Sequence, residues 1–223
     1  MVAWLPENQG AWYRLGVALS LSGQYDEALA AFQSAIQLDP KDAAPHNGIG
    51  NVYRALRQYD QALAAYQRAL ELDPKDAYPH NNMADIFIKQ GKFDEAQREL
   101  NERIRLAPDN AFTPLVALGI IARHQGLAES DNHFQDALAQ WNAAWQARWQ
   151  SPAELLEDKA KALLCLGKKA EALQILKEAI AQMAPGDEIE FERYTLLQTA
   201  PVPPDGIEEM IAILKAAQAQ RQS

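Results

Sequence analysis

Reactive side chains are sparse in this sequence, and their spacing decides what they can do. The one cysteine, Cys165, cannot form a disulfide within the chain and reads as a small apolar residue on a helix. His46 and His80 stand thirty-four residues apart in matching surroundings and read as packing residues. His124 and His133 are nine apart across a proposed turn, which is not the spacing of metal ligands on one helix. No glycine-rich phosphate loop, serine-centred elbow or cysteine pair occurs. Carboxylates are plentiful but spread over what read as exposed helical faces. The expectation is a non-enzymatic chain with no metal and no cofactor. Trp141, Trp145 and Trp149 recur every four residues, along one slowly drifting helix face. They either pack within the chain or anchor self-association.

Composition narrows the class of partner. A net charge of −9 argues against general binding to nucleic acid or an anionic membrane, both of which favour a basic face. No run of eighteen apolar residues occurs, so no membrane span is expected. No secretory signal opens the chain, and the expected location is cytoplasmic.

The elements that must position any binding residue come from a repeat. Gln24 to Ala43, QYDEALAAFQSAIQLDPKDA, returns thirty-four residues later as QYDQALAAYQRALELDPKDA, with fifteen of twenty positions identical. A fixed period of this length with two amphipathic helices per copy is one unit of a stacked array. Gly16, Gly50 and Ala84 fall mid-helix, where a small residue lets the partner helix with Ala28, Ala62 or Ala96 approach closely. Gly23 and Gly91 suit the turn between the helices. Asp26, Asp60 and Asp94 lie in the first turn of each second helix, where a carboxylate favours the dipole. Asp42 and Asp76 are read as N-caps, followed by Pro45 and Pro79 in the first turn.

Trp12, Leu15, Gly16, Ala28, Phe32 and Pro40 in the first copy, with Leu19 in place of Tyr, resemble the tetratricopeptide repeat. The second copy keeps Gly50, Tyr53, Ala62 and Pro74; the third keeps Ala96 and Pro108. The resemblance implies an all-α, right-handed α-α superhelix of about five helix-turn-helix repeats with C-terminal capping helices. It also implies a concave groove lined by the first helix of each repeat. Its contact slots correspond here to Tyr13, Val17, Ser20 and Leu21, then Asn47, Asn51, Arg54 and Ala55. In the third copy they correspond to Tyr78, Asn81, Asp85, Ile88 and Lys89, and Arg123 follows in the fourth. Asn can pair with both N–H and C=O of an extended peptide. Arg54, Lys89 and Arg123 would form a basic strip within an acidic protein, so an acidic peptide is the expected ligand. Members of the family that clamp a chaperone's C-terminal carboxylate need Asn and basic residues where this chain has Arg14, Gly48, Tyr78 and Asn82, so that ligand is not expected.

The rest of the chain is divided by the same register. Residues 1–8, with Trp4 and Pro6 in phase, read as the tail of a preceding repeat or an N-terminal arm, and 9–110 as three clear repeats. Residues 111–150 form a divergent fourth repeat whose second helix is expected to run unusually far, with Gly126 as its turn and Ser130, Phe134 and Ala137 facing inward. Residues 151–182 form a fifth, carrying Ala160, Gly167, Ala172, Leu176 and Ala179. In 183–223, two helices cap the stack, the last with Ile207, Met210, Ile211 and Leu214 on its apolar face. The expected function is a scaffold for a protein or peptide ligand. The alternatives are the regulatory array of a larger enzyme or signalling protein, and a self-assembling structural protein.

Overall fold

The structure is a computed structural model that describes residues 8–141, 153–183 and 192–222. All regular elements among them are helical. The first three pairs are α1 (Gln9–Leu21) with α2 (Tyr25–Leu38), α3 (Ala44–Ala55) with α4 (Tyr59–Leu72), and α5 (Tyr78–Lys89) with α6 (Phe93–Leu106). After a 3₁₀ turn at Pro108–Asn110 come α7 (Phe112–His124), α8 (Ser130–Gln140), α9 (Ala153–Cys165) and α10 (Lys169–Gln182). The shorter α11 (Glu192–Gln198) and α12 (Ile207–Gln222) complete the order. The chain divides into two compact units between Glu102 and Arg103.

Short-range chemistry sets these boundaries. Gly23, Gly91, Gly126 and Gly167 take φ of 74°, 70°, 72° and 77° at the turns inside the pairs, the left-handed conformation that glycine adopts without a Cβ clash. Asp26, Asp60 and Asp94 lie in the first turns of α2, α4 and α6, as the dipole argument requires. Between pairs, the Asp39 and Asp73 carboxylates each accept from the backbone N–H two residues on, both at 3.0 Å. Asp42 and Asp76 do the same for Ala44 and Tyr78, both at 2.9 Å. They are not the N-caps that the sequence suggested, but sit one residue ahead of the caps, Ala43 and Ala77. Pro45 and Pro79 follow in the first turn.

The first unit is built from apolar stripes on α1 to α6. Phe32 packs with Ala28 and Val52, and Tyr66 with Ala62, Met83 and Ile86. The mid-helix glycines correct the sequence reading in detail. A Cβ on Gly16 would lie 2.7 Å from the Phe32 ring, one on Gly48 2.5 Å from the same ring, and one on Gly50 2.4 Å from the Tyr66 ring. The glycines thus make room for an aromatic ring of the second helix, not merely for closer approach at its alanines.

In the second unit α7 packs on α8, α9 on α10, and α9 also touches α7 and α8. A Cβ on Gly119 would lie 2.7 Å from the Phe134 ring, repeating the device of the first unit. Ser130, Phe134 and Ala137 are buried as expected. The extended second helix is not: α8 stops at Gln140, and Trp141 caps it with ψ of 63°. Trp141 turns back onto Phe112, ring centroids 4.9 Å apart, with the Lys159 ammonium 5.0 Å from its ring. Trp145, Trp149 and the in-phase Trp4 and Pro6 lie outside the described residues. Ile207, Met210, Ile211 and Leu214 of α12 are all buried, and α12 contacts α10 and α11.

Candidate functional site

In the first unit, α1, α3 and α5 carry the expected contact positions. Tyr13 is half-buried against Phe32, centroids 5.9 Å apart, and burial, then Asp42 and Asp76, push its phenol pKa up. Val17 joins the Phe32 cluster, whereas Leu21 at the end of α1 is 85% exposed. Tyr78, at the start of α5, is 66% exposed, and Ile88 is buried. Asn47, Asn51 and Asn81 are half-buried.

Side-chain amides meet between α3 and α5. Asn82 Nδ2 donates to Asn51 Oδ1 at 3.1 Å and to Asn47 Oδ1 at 3.4 Å. The Tyr66 hydroxyl, reaching from α4, donates to the same Asn51 oxygen at 2.8 Å. Burial drives the Tyr66 pKa to about 12, with Arg54 working against that shift. The oxygens of Asn47 and Asn51 are therefore turned into the cluster. Each residue keeps an amide NH₂ to donate, and Asn82 keeps its oxygen to accept. That is the donor and acceptor set a peptide backbone requires.

Beside the amides, two cations converge on one carboxylate. Arg54 Nη1 and Lys89 Nζ lie 3.2 and 3.4 Å from Asp85 Oδ2, with side chains 33% and 17% exposed against 10% for Asp85. Arg54 and Lys89 are thus a triad with Asp85, carrying one net positive charge, and not a row of bare cations. Arg123 belongs to the second unit. It pairs with the Asp131 carboxylate, donates to the Cys165 carbonyl at 3.0 Å and lies over the Phe134 ring.

Several residues read as bland do more. His80 Nδ1 is 2.6 Å from Glu99 Oε2, an ionisable contact where only packing was expected. His46 is packed; burial, then Arg68, lower its pKa. His124 Nδ1 meets the Leu196 carbonyl at 3.2 Å. Cys165 is buried, and burial raises its thiol to about 12, the state of an inert packed residue.

The largest correction concerns the carboxylates, which are not all on exposed faces. Glu157, Asp158 and Lys161 on α9 are 6%, 4% and 3% exposed. Lys161 Nζ lies 2.9 Å from Glu157 and 3.2 Å from Asp158. Arg193 of α11 reaches Asp158 at 3.4 Å, and the Tyr194 hydroxyl donates to Glu157 at 2.7 Å. Burial works to lower the Lys161 pKa, but Glu157 and Asp158 outweigh it, and the net shift is upward.

Sequence reasoning missed Asn82 and Tyr66 as members of the amide cluster. One signal was available: Tyr66 stands where the first copy has Phe32, and a buried hydroxyl needs a partner.

Comparison with known proteins bears on the same elements. Four models of the tetratricopeptide repeat match, over residues 10–42, 31–64, 50–90 and 77–110. No curated protein sequence matches the chain. Among solved structures, a thermophilic tetratricopeptide-repeat protein of Thermus thermophilus superposes with a TM-score of 0.62 at 19% identity, covering 95% of this chain and 100% of that one. The pilF protein of Pseudomonas aeruginosa gives 0.56 at 18% identity, covering 95% and 89%. YrrB, described as a repeat protein with an unusual peptide-binding site, gives 0.53 at 19% identity, covering 82% and 90%. Identities this low show the fold and nothing finer. The helix pairs, the glycine turns and the four matches agree: residues 10–110 of the chain belong to the tetratricopeptide-repeat family.

Proposed function

We propose that the chain is a non-enzymatic protein-interaction scaffold. Its first unit takes an extended peptide with acidic residues along the faces of α1, α3 and α5. The observation that carries this reading is the amide cluster of Asn47, Asn51 and Asn82. Its remaining donors and acceptor suit a backbone of any sequence. The Arg54–Asp85–Lys89 triad adds a single net positive charge, which favours a carboxylate without demanding one. Exposed Tyr78 and Leu21 supply apolar contact area for an anchor residue.

The test uses fluorescent ten-residue peptides, acidic, neutral or basic, each with one aromatic anchor. Acidic peptides should bind most tightly and weaken as salt rises, because exposed charges are screened over about 8 Å at physiological ionic strength. Asp85→Asn removes one negative charge beside Arg54 and Lys89 and should tighten acidic peptides by about 0.5–1 kcal/mol. Asn51→Ala should weaken all peptides alike. Binding that ignores salt, peptide charge and Asp85→Asn would overturn the acidic-ligand reading. Binding that survives Asn51→Ala would overturn the role of the amides.

A further inference from the structure

Counting back from the turn residue, the groove positions of the first three pairs lie ten, six, three and two residues earlier. From Gly23 these are Tyr13, Val17, Ser20 and Leu21; from Arg57, Asn47, Asn51, Arg54 and Ala55; from Gly91, Asn81, Asp85, Ile88 and Lys89. The same count from Gly126 gives Val116, Ile120, Arg123 and His124, and from Gly167 gives Glu157, Lys161, Leu164 and Cys165. Within the second unit, α11 meets several of these residues. Tyr194 donates to Glu157, and Lys161 lies 4.6 Å from the centre of the Tyr194 ring. The Leu196 carbonyl meets His124, and Leu197 shares a core with Val116 and Ile120.

We propose that the α7–α9 face is a second ligand site, and that residues 192–199 of this same chain occupy it as an exchangeable ligand. The class of ligand is a short helix with Arg and Tyr adjacent and Leu three residues after the Tyr. Two features favour recognition over plain core packing. A contact needed only for stability is served as well by apolar residues, whereas buried, mutually paired charges discriminate between occupants. Glu157 reads the Tyr194 hydroxyl and Asp158 reads the Arg193 guanidinium. In addition, α11 has only seven residues, too few to hold a helix alone in water, so its fold depends on the face beneath it. An element of that kind opens at a lower free energy than the helices it covers. The proposal does not rest on the acidic-peptide reading, which concerns the first unit.

The test loosens the resident segment in the full chain with Arg193→Ala and Tyr194→Ala. A fluorescein-labelled peptide copying residues 192–200 is the probe. The variant should keep its helical circular dichroism and bind the probe about tenfold or more tightly than the wild type, whose site is filled. A probe with Tyr194→Phe and Arg193→Ala should lose about tenfold or more, the usual effect of removing hydrogen bonds to charged groups. A folded variant that binds no better than wild type would overturn the proposal, as would equal binding of both probes. Should the variant lose its fold, hydrogen exchange on the wild-type chain decides. Amides of α11 should exchange about tenfold or more faster than those of α7 and α9. Exchange of all three in one step would show α11 to be ordinary core. A wild-type dimer that forms as concentration rises and slows α11 exchange would make a second copy the occupant and overturn the assignment in cis.

Discussion

In the first unit, the positions ten and six residues ahead of each turn hold Tyr13, Val17, Asn47, Asn51, Asn81 and Asp85, and all but Asp85 are half-buried. In the second unit the same positions hold Val116, Ile120, Glu157 and Lys161, none more than 6% exposed. Both units use one packing device, a small residue opposite an aromatic ring: Gly50 with Tyr66, Gly119 with Phe134. The scaffold is therefore shared while the first-helix faces differ in what covers them. In the second unit the cover is α11, and charge lies beneath it. The difference teaches that slot chemistry follows occupancy. Amides suit a face meeting solvent, whereas ionised groups tolerate burial only when paired.

The sharpest way to break this comparison is to remove one cation from each unit. Lys161→Met strands Glu157 and Asp158 in a closed site with Arg193 as the remaining cation, and should cost about 3–5 kcal/mol. Lys89→Met leaves Asp85 paired with Arg54 at a partly open site, and should cost about 1 kcal/mol or less. Urea unfolding of both variants measures the contrast. Equal costs would mean that the two carboxylate sites are equally solvated, and the comparison would fail.

A second pair of variants asks whether the packing device is shared in energy as well as in geometry. Gly50→Ala places a Cβ 2.4 Å from Tyr66, and Gly119→Ala places one 2.7 Å from Phe134. Each should cost about 1–3 kcal/mol by overpacking. Tyr66→Leu should relieve the first and leave the second unchanged. Unchanged unfolding midpoints for both alanine variants would show that the rings swing aside freely.

Much of this was legible in the sequence because it is periodic. The turn glycines, Phe32 and Tyr66, the inward face of α8 and the apolar stripe of α12 all follow from spacing. Asn47 and Asn51 were expected from the contact slots that the family resemblance implies, whereas their hydrogen bonds to Asn82 were not. What escaped detection depends on contacts across the chain that leave no period. Glu157 and Tyr194 are 37 residues apart and meet only because α11 folds onto α9. A run such as EDKAK looks like a solvated helical face until it is counted back from Gly167. The convergence of Arg54 and Lys89 on Asp85 depends on side-chain distances, which the spacing of the three slots does not give. The break after Gln140 escaped too, since the tryptophan spacing continues the helical period while the backbone of Trp141 does not.

The smallest expected effect lies at the one turn that departs from the pattern. Arg57 holds φ of 58° where the other pairs have glycine at 70° to 77°, and it is exposed. A side chain in the left-handed region costs about 1–2 kcal/mol, through the contact of Cβ with the following carbonyl. Glycine removes that contact but leaves the unfolded chain freer, which offsets about 0.5–1 kcal/mol. The balance predicts that Arg57→Gly stabilises the first unit by a few tenths to about 1 kcal/mol. The gain should appear as a raised urea midpoint with an unchanged slope, because the area buried on folding stays the same. The matching change in the other direction, Gly167→Arg in the second unit, should destabilise by a similar amount. Nothing lies within 4 Å of a Cβ built at Gly167, so backbone strain alone is tested there. Opposite signs at the two turns would establish that the glycine pattern reflects backbone conformation in both units. A loss on Arg57→Gly would instead mean that the arginine side chain stabilises its turn by more than the strain it imposes.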